Sequence, residues 1–198
     1  MGHQVIEQVV NAARRKLLVQ DLIPLYYPNL YATFELSGKA LETTKKYLEH
    51  LAVFEGFLAF SSIDLISRLE QRPKSNYLTD SEISRFVSDA GFHKETLAKK
   101  YAGMRLHPTA YKSVGKVHAK QRLEAVRDYL AFLYEKLGDD LTRYEAVDDV
   151  RKRFNRKIKA ASPGWKKTRI GEVKGLTDGE RDQLLEVMHP ESPANPFA

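Results

Sequence analysis

The 198-residue chain is 42% hydrophobic, enough to bury a core unaided, and its 32 basic against 26 acidic side chains leave a net charge of +6. It contains no cysteine, which excludes disulfides and thiolate metal sites and fits a chain made in a reducing cytoplasm. The opening MGHQVIEQVVNAARRK lacks the continuous apolar core of a signal peptide. No run approaches the roughly 18 to 20 apolar residues needed to span a bilayer, so a cytoplasmic protein with no membrane contact is expected.

Residues 1–36 combine strand-like runs, KLLVQ and LYATFEL, with Pro24 and Pro28, which break the segment between them. This pattern predicts an extended arm or a short hairpin. The first helix is predicted over 43–60, where Tyr47, Leu48, Leu51, Phe54, Phe57 and Leu58 recur at three- and four-residue spacing. Thr79-Asp80-Ser81-Glu82 reads as a capping box that opens a second helix, with Ile83, Phe86 and Val87 on its apolar face and Gly91 at its end. The polar stretch that follows is punctuated by Gly103 and Pro108, and residues 93–101 suit a short helix.

The longest helix is predicted over 114–137, with Ser113 as its cap and Gly138 just past its end. Val114, Val117, Leu123, Val126, Leu130, Leu133 and Leu137 keep its helical period. A second capping box, Thr142-Arg143-Tyr144-Glu145, opens a helix that carries Val147, Val150, Phe154 and Ile158 to residue 160. Residues 161–176, with Pro163, Gly164, Gly171 and Gly175, read as an interdomain linker. A third box at Thr177 starts a helix bearing Leu184, Leu185 and Met188, which Pro190 ends just after His189.

The positive charge is unevenly spread. Residues 112–174 carry 17 basic and 9 acidic side chains, against 15 and 17 elsewhere. Within that span Arg151, Lys152, Arg153, Arg156, Lys157, Lys159, Lys166, Lys167 and Arg169 form a run with no acidic residue. Clustered cations of this kind give affinity for backbone phosphates by releasing counterions, without reading sequence. A solvated helix face followed by a flexible basic linker has the same pattern. A second group gathers at the start of the long helix: Lys112, Ser113, Lys116, His118, Lys120, Gln121 and Arg122. A helix amino terminus already favours anions, and Lys116, Gln121 and Arg122 carry donors able to meet phosphates or base edges. Ordinary surface polarity remains the alternative here too.

Enzyme signatures are missing. There is no Gly-rich phosphate loop, no pair of metal-binding histidines and no serine nucleophile motif. The six histidines are scattered, and with ten tyrosines no single nucleophile can be chosen by composition.

Four stretches carry a family resemblance: IPLYYPNLYATFEL (23–36), TTKKYLEHLAVFEGFLAF (43–60), VGKVHAKQRLEAVRDYLAFLYEKL (114–137) and KGLTDGERDQLLEVMHPESPANPF (174–197). Together they resemble the amino-terminal portion of the tyrosine recombinase, or phage integrase, family, in particular a branch of bacterial site-specific integrases. The last stretch, similar to the entry of the family's catalytic domain, is the most specific. The resemblance implies a mainly α chain with a SAM-like core-binding domain of four to five helices at 37–160, following an extended amino-terminal arm at 1–36. A basic linker at 161–176 and the first helix of a truncated catalytic domain at 177–198 would complete it.

Such a core-binding domain is one arm of a clamp that closes on duplex DNA, alongside other recombinase protomers on the recombination site. In the family a tyrosine attacks a phosphodiester without metal, and the resemblance puts the catalytic residues beyond the PANPF tail. No catalytic residue, metal or cofactor is therefore assigned to this chain. The expected function is double-stranded DNA binding in DNA integration and excision. A helical protein-interaction module with a basic face and an RNA-binding helical domain are the rivals.

Overall fold

A computed structural model describes residues 2–10, 13–71, 77–104, 107, 110–138 and 143–161. All of them belong to one compact unit, Met1–Ser162. The linker, the closing helix with its capping box, and Thr142 of the second predicted box lie outside the described residues. Among those described, the chain is mainly helical, with seven helices and one small three-stranded sheet. No described helix is long and apolar enough to cross a membrane.

Of the two expectations for the amino-terminal segment, the hairpin forms, and the segment is not an extended arm. Strands β1 (His3–Val10) and β2 (Ala13–Gln20) pair antiparallel along their whole length, from His3↔Gln20 to Val10↔Ala13, and β2 pairs in turn with the two-residue β3 (Ile23–Pro24). Leu18 and Val19 are fully buried, which seats the hairpin against the helices. Pro24 is tolerated because it lies on an edge strand. Pro28 is tolerated because it lies in the first turn of α1 (Tyr26–Glu35), where an N–H has no intrahelical partner to lose. The two prolines thus set where β3 and α1 begin instead of keeping the arm open.

One side chain joins sheet to helix. Asn29, in α1, accepts the Leu18 N–H at 2.8 Å and donates its amide to the carbonyls of Leu18 (2.9 Å) and Leu25 (2.7 Å). The turn from β2 to β3 places both Asp21 (φ 49°) and Leu22 (φ 69°) in the left-handed region, as a two-residue hairpin loop requires.

The core is built on α2 (Leu41–Phe60) and α6 (Lys116–Leu137). From α2 come Leu48, Leu51, Phe54 and Phe57, and from α6 Leu123, Val126, Tyr129, Leu130 and Leu133, all at 2% exposure or less. Aromatic rings lock the layers edge to face: Phe54 meets Phe86 with centroids 5.0 Å apart, and Tyr31 meets Tyr129 at 5.6 Å. Short helices α3 (Leu65–Glu70), α4 (Asp80–Asp89) and α5 (Lys94–Tyr101) fill in around this pair.

Helix α4 opens with the predicted capping box. Thr79 Oγ1 accepts the Glu82 N–H at 3.2 Å, and Glu82 accepts the Thr79 N–H at 2.7 Å. Helix α7 (Arg143–Ala161) returns antiparallel along α6, with Val150 and Phe154 buried between them. The return is tight: a Cβ at Gly138 would collide with the Tyr134 carbonyl oxygen and approach Arg143 Cβ to 3.2 Å.

Three details of the sequence reading change: LYATFEL, read as strand-like, lies in α1 and its C-cap, and two others concern α6. Ser113 is not the cap of α6, because it pairs in an isolated bridge with Phe92, and Gly115 occupies the capping position. Val117 lies in the first turn of α6, before the helix reaches the core, and is 71% exposed. Helix α3 was not anticipated; Asp64 caps it by accepting the Ser67 N–H at 3.0 Å.

Candidate nucleic-acid interface

The amino end of α6 is where three segments converge. The chain enters it through Lys112, whose carbonyl accepts the His93 N–H at 2.9 Å, and Val114, whose N–H donates to the Gly91 carbonyl at 2.8 Å. These bonds hold the 112–114 segment against the turn between α4 and α5. From the other side, the His118 ring meets the His50 ring of α2 edge to face, with centroids 4.9 Å apart. Lys46, one turn before His50, lies close enough for its charge to act on both imidazoles.

The result is a small exposed surface that carries Lys46, His93, Lys112, Ser113, Lys116, His118 and Gln121, with half-exposed Lys120 at its edge. Lys120 is held 3.6 Å from Glu124, whereas neither Lys112 nor Lys116 has a carboxylate partner among the described residues. The first turn of α6 receives no side-chain cap from the described residues. Its leading N–H groups therefore remain available, and they supply the positive end of the helix dipole at the point where the lysines gather.

Electrostatics sharpen this picture. Burial first, then the charges of Arg122, His118 and Lys46, push the His50 imidazole down to about 3, so it is neutral at pH 7. His118 is also held below its ordinary value, by burial and then by Arg122 and His93. The charge of the surface thus comes from lysines, and His118 offers an uncharged donor and acceptor beside them.

Arg122 does not belong to this surface. It is 2% exposed, and its Nη1 donates to the carbonyls of Ala90 (2.9 Å) and Phe92 (2.8 Å). It ties the end of α4 to α6, its guanidinium drawn inward by those two carbonyls. Arg153 is likewise structural. At 7% exposure it bonds Asp80 at 2.9 Å, Asp149 at 3.3 Å and the Leu78 carbonyl at 2.6 Å, fastening α7 to the start of α4.

The predicted basic run therefore divides. Arg151 shares a cleft with Lys39 and with Glu35, Asp128 and Glu135, where carboxylates outnumber cations. Lys157 is half-buried beside Arg153 on the α4 side, where its charge and that of the exposed Arg156 both reach Asp80. Lys152, Arg156 and Lys159, spaced by four and three residues, are left as one exposed stripe. Lys166, Lys167 and Arg169 lie outside the described residues.

Lys46, His50 and His93 are the members that sequence reasoning missed. Only the Lys45-Lys46 pair on the polar side of the α2 stripe was a signal, and nothing local linked it to residues some seventy positions later. Among the described residues, no group of three or more His, Asp or Glu side chains could hold a metal ion. In comparisons with known proteins, no family model matches the chain, and no curated protein or solved structure matches it either.

Proposed function

We propose that this chain binds duplex DNA through the amino end of α6, as the core-binding half of a site-specific tyrosine recombinase acting in DNA integration or excision. The observation that carries the reading is the convergence of Lys46, Lys112, Lys116 and His118 from separate segments around an uncapped helix terminus. Lysines without carboxylate partners beside free N–H groups are suited to backbone phosphates, and Gln121, one turn further along α6, has an amide able to meet a base edge. The stripe of Lys152, Arg156 and Lys159 is a second place for phosphate contact. A SAM-like arrangement of the helices, suggested by the integrase-like stretches at 43–60 and 114–137, belongs to the same reading.

The test is fluorescence anisotropy with a mixed-sequence duplex across a salt series. Wild type should bind weakly, with log affinity falling by about 0.9 per contacted phosphate for each decade of salt. Changing Lys46, Lys112 and Lys116 to Ala should flatten that slope by about 2 to 3 if each lysine meets one phosphate. Salt-insensitive binding, or none by either protein at low salt, would shift the assignment to a protein-interaction module with a basic face. Preferential competition by structured RNA would shift it to an RNA-binding domain.

A further inference from the structure

A second feature lies away from the basic surface. Where α1, α2, α3 and α6 meet below the start of β1, they enclose a cleft of about 550 Å³. This is within the usual size range of small-molecule sites. Its walls are mainly apolar and aromatic: Tyr26 and Tyr27 from α1, Leu58 from α2, Ile66 from α3, and Tyr129 and Leu133 from α6.

Among these walls is one carboxylate with an unbalanced environment. Glu55 accepts a hydrogen bond from the Tyr129 hydroxyl at 3.2 Å. Among the described residues, no Lys or Arg lines the cleft and no cation reaches Glu55 to offset its lost hydration. The consequence is a carboxyl pushed up to about 7 by burial, which the tyrosine bond only partly opposes. The other groups of the cleft do not supply the missing charge. Asp64 is acidic and already occupied in capping α3, and burial drives His3 toward its neutral form.

A half-buried carboxylate that has lost part of its hydration and has no cation is held at a cost, and a partner ion inside the same cleft relieves that cost. We propose that the cleft binds a small organic cation, a protonated amine on an apolar, preferably aromatic body. The ammonium group pairs with Glu55 and packs near the Tyr129 ring, and the body lies against Tyr26, Tyr27 and Leu133. Charge complementarity selects the amine end, and the aromatic walls favour both the body and the cation. This inference does not depend on DNA binding.

The experiment is an NMR titration of the full chain with tryptamine and with its uncharged counterpart tryptophol, at pH 8 and millimolar ligand. Tryptamine should give saturable shifts at Glu55, Leu58 and Leu133, and tryptophol should bind at least about tenfold more weakly, the equivalent of 1.4 kcal/mol. Glu55→Gln should reduce tryptamine to the affinity of tryptophol and leave tryptophol unchanged. Ile66→Trp, which fills the cleft without touching the carboxylate, should abolish both. The proposal is overturned by an absence of shifts at cleft residues, by equal affinity of the wild type for the two ligands, by a tryptamine affinity that Glu55→Gln leaves unchanged, or by binding that survives Ile66→Trp.

Discussion

Arg122 and Arg153 illustrate how one residue type serves two ends in this chain. Both sit within basic runs of sequence, yet each is turned inward to satisfy carbonyl oxygens that the fold would otherwise leave buried without donors. Arg122→Met should cost about 2–4 kcal/mol in urea unfolding, because the Ala90 and Phe92 carbonyls lose their partner. The salt slope of DNA binding by the folded fraction should not change. Two titratable groups, buried His50 and half-buried Glu55, give opposite pH signatures. His50 is held at about 3 against 6.5 when unfolded, so stability present above pH 6.5 is lost as pH falls through that window. Glu55 is held at about 7 against 4.5, so stability present below pH 4.5 is lost as pH rises toward 7. Glu55→Gln should therefore raise the thermal midpoint at pH 8, by the equivalent of about 1–3 kcal/mol, and have little effect at pH 4. A midpoint at pH 8 that stays unchanged would show that the carboxyl is not desolvated.

At the scale of elements, what could be read in the sequence was what is encoded locally. The Thr79 box was legible because both of its hydrogen bonds join residues three apart, and the α2 and α6 stripes were legible because burial follows the helical period. The end of α2 at Phe60 was legible too, but the form of its closure was not. Ile63 N–H donates to the Leu58 carbonyl at 2.9 Å and Ser62 N–H to Ala59 at 3.2 Å, a Schellman closure with Ser62 at φ 52° where glycine would have announced it. Ser62→Gly should relieve that strain and stabilise the protein by about 1 kcal/mol, measured as a shift in the urea midpoint. The basic surface was half legible for the same reason. Lys112, Lys116 and His118 are near neighbours in sequence, but Lys46 and His93 reach them only through tertiary contacts. Arg122 looked exposed because its carbonyl partners lie about thirty residues earlier.

For the molecule as a whole, the hairpin that begins the chain is part of the body that the helices form. Leu18 and Val19 are buried, and the described residues make one compact unit. Leu18→Ala should then lower the stability of that entire unit by about 2–5 kcal/mol, in a single transition seen alike by far-ultraviolet circular dichroism and tyrosine fluorescence. Separate melting of the strands would contradict this. The same region has a bearing on how the protein behaves in a crowded solution. A two-residue β3 covers only the last stretch of β2, and an uncovered strand edge is a template on which a second chain can add its own strand. Asn29 presents an amide where the next strand residue would have been, occupying both main-chain groups of Leu18, and further along β2 come the charged Lys16 and Arg14. The carboxamide thus closes this edge of β2 to an incoming strand at Leu18, with a side chain that contributes nothing to either proposed binding surface.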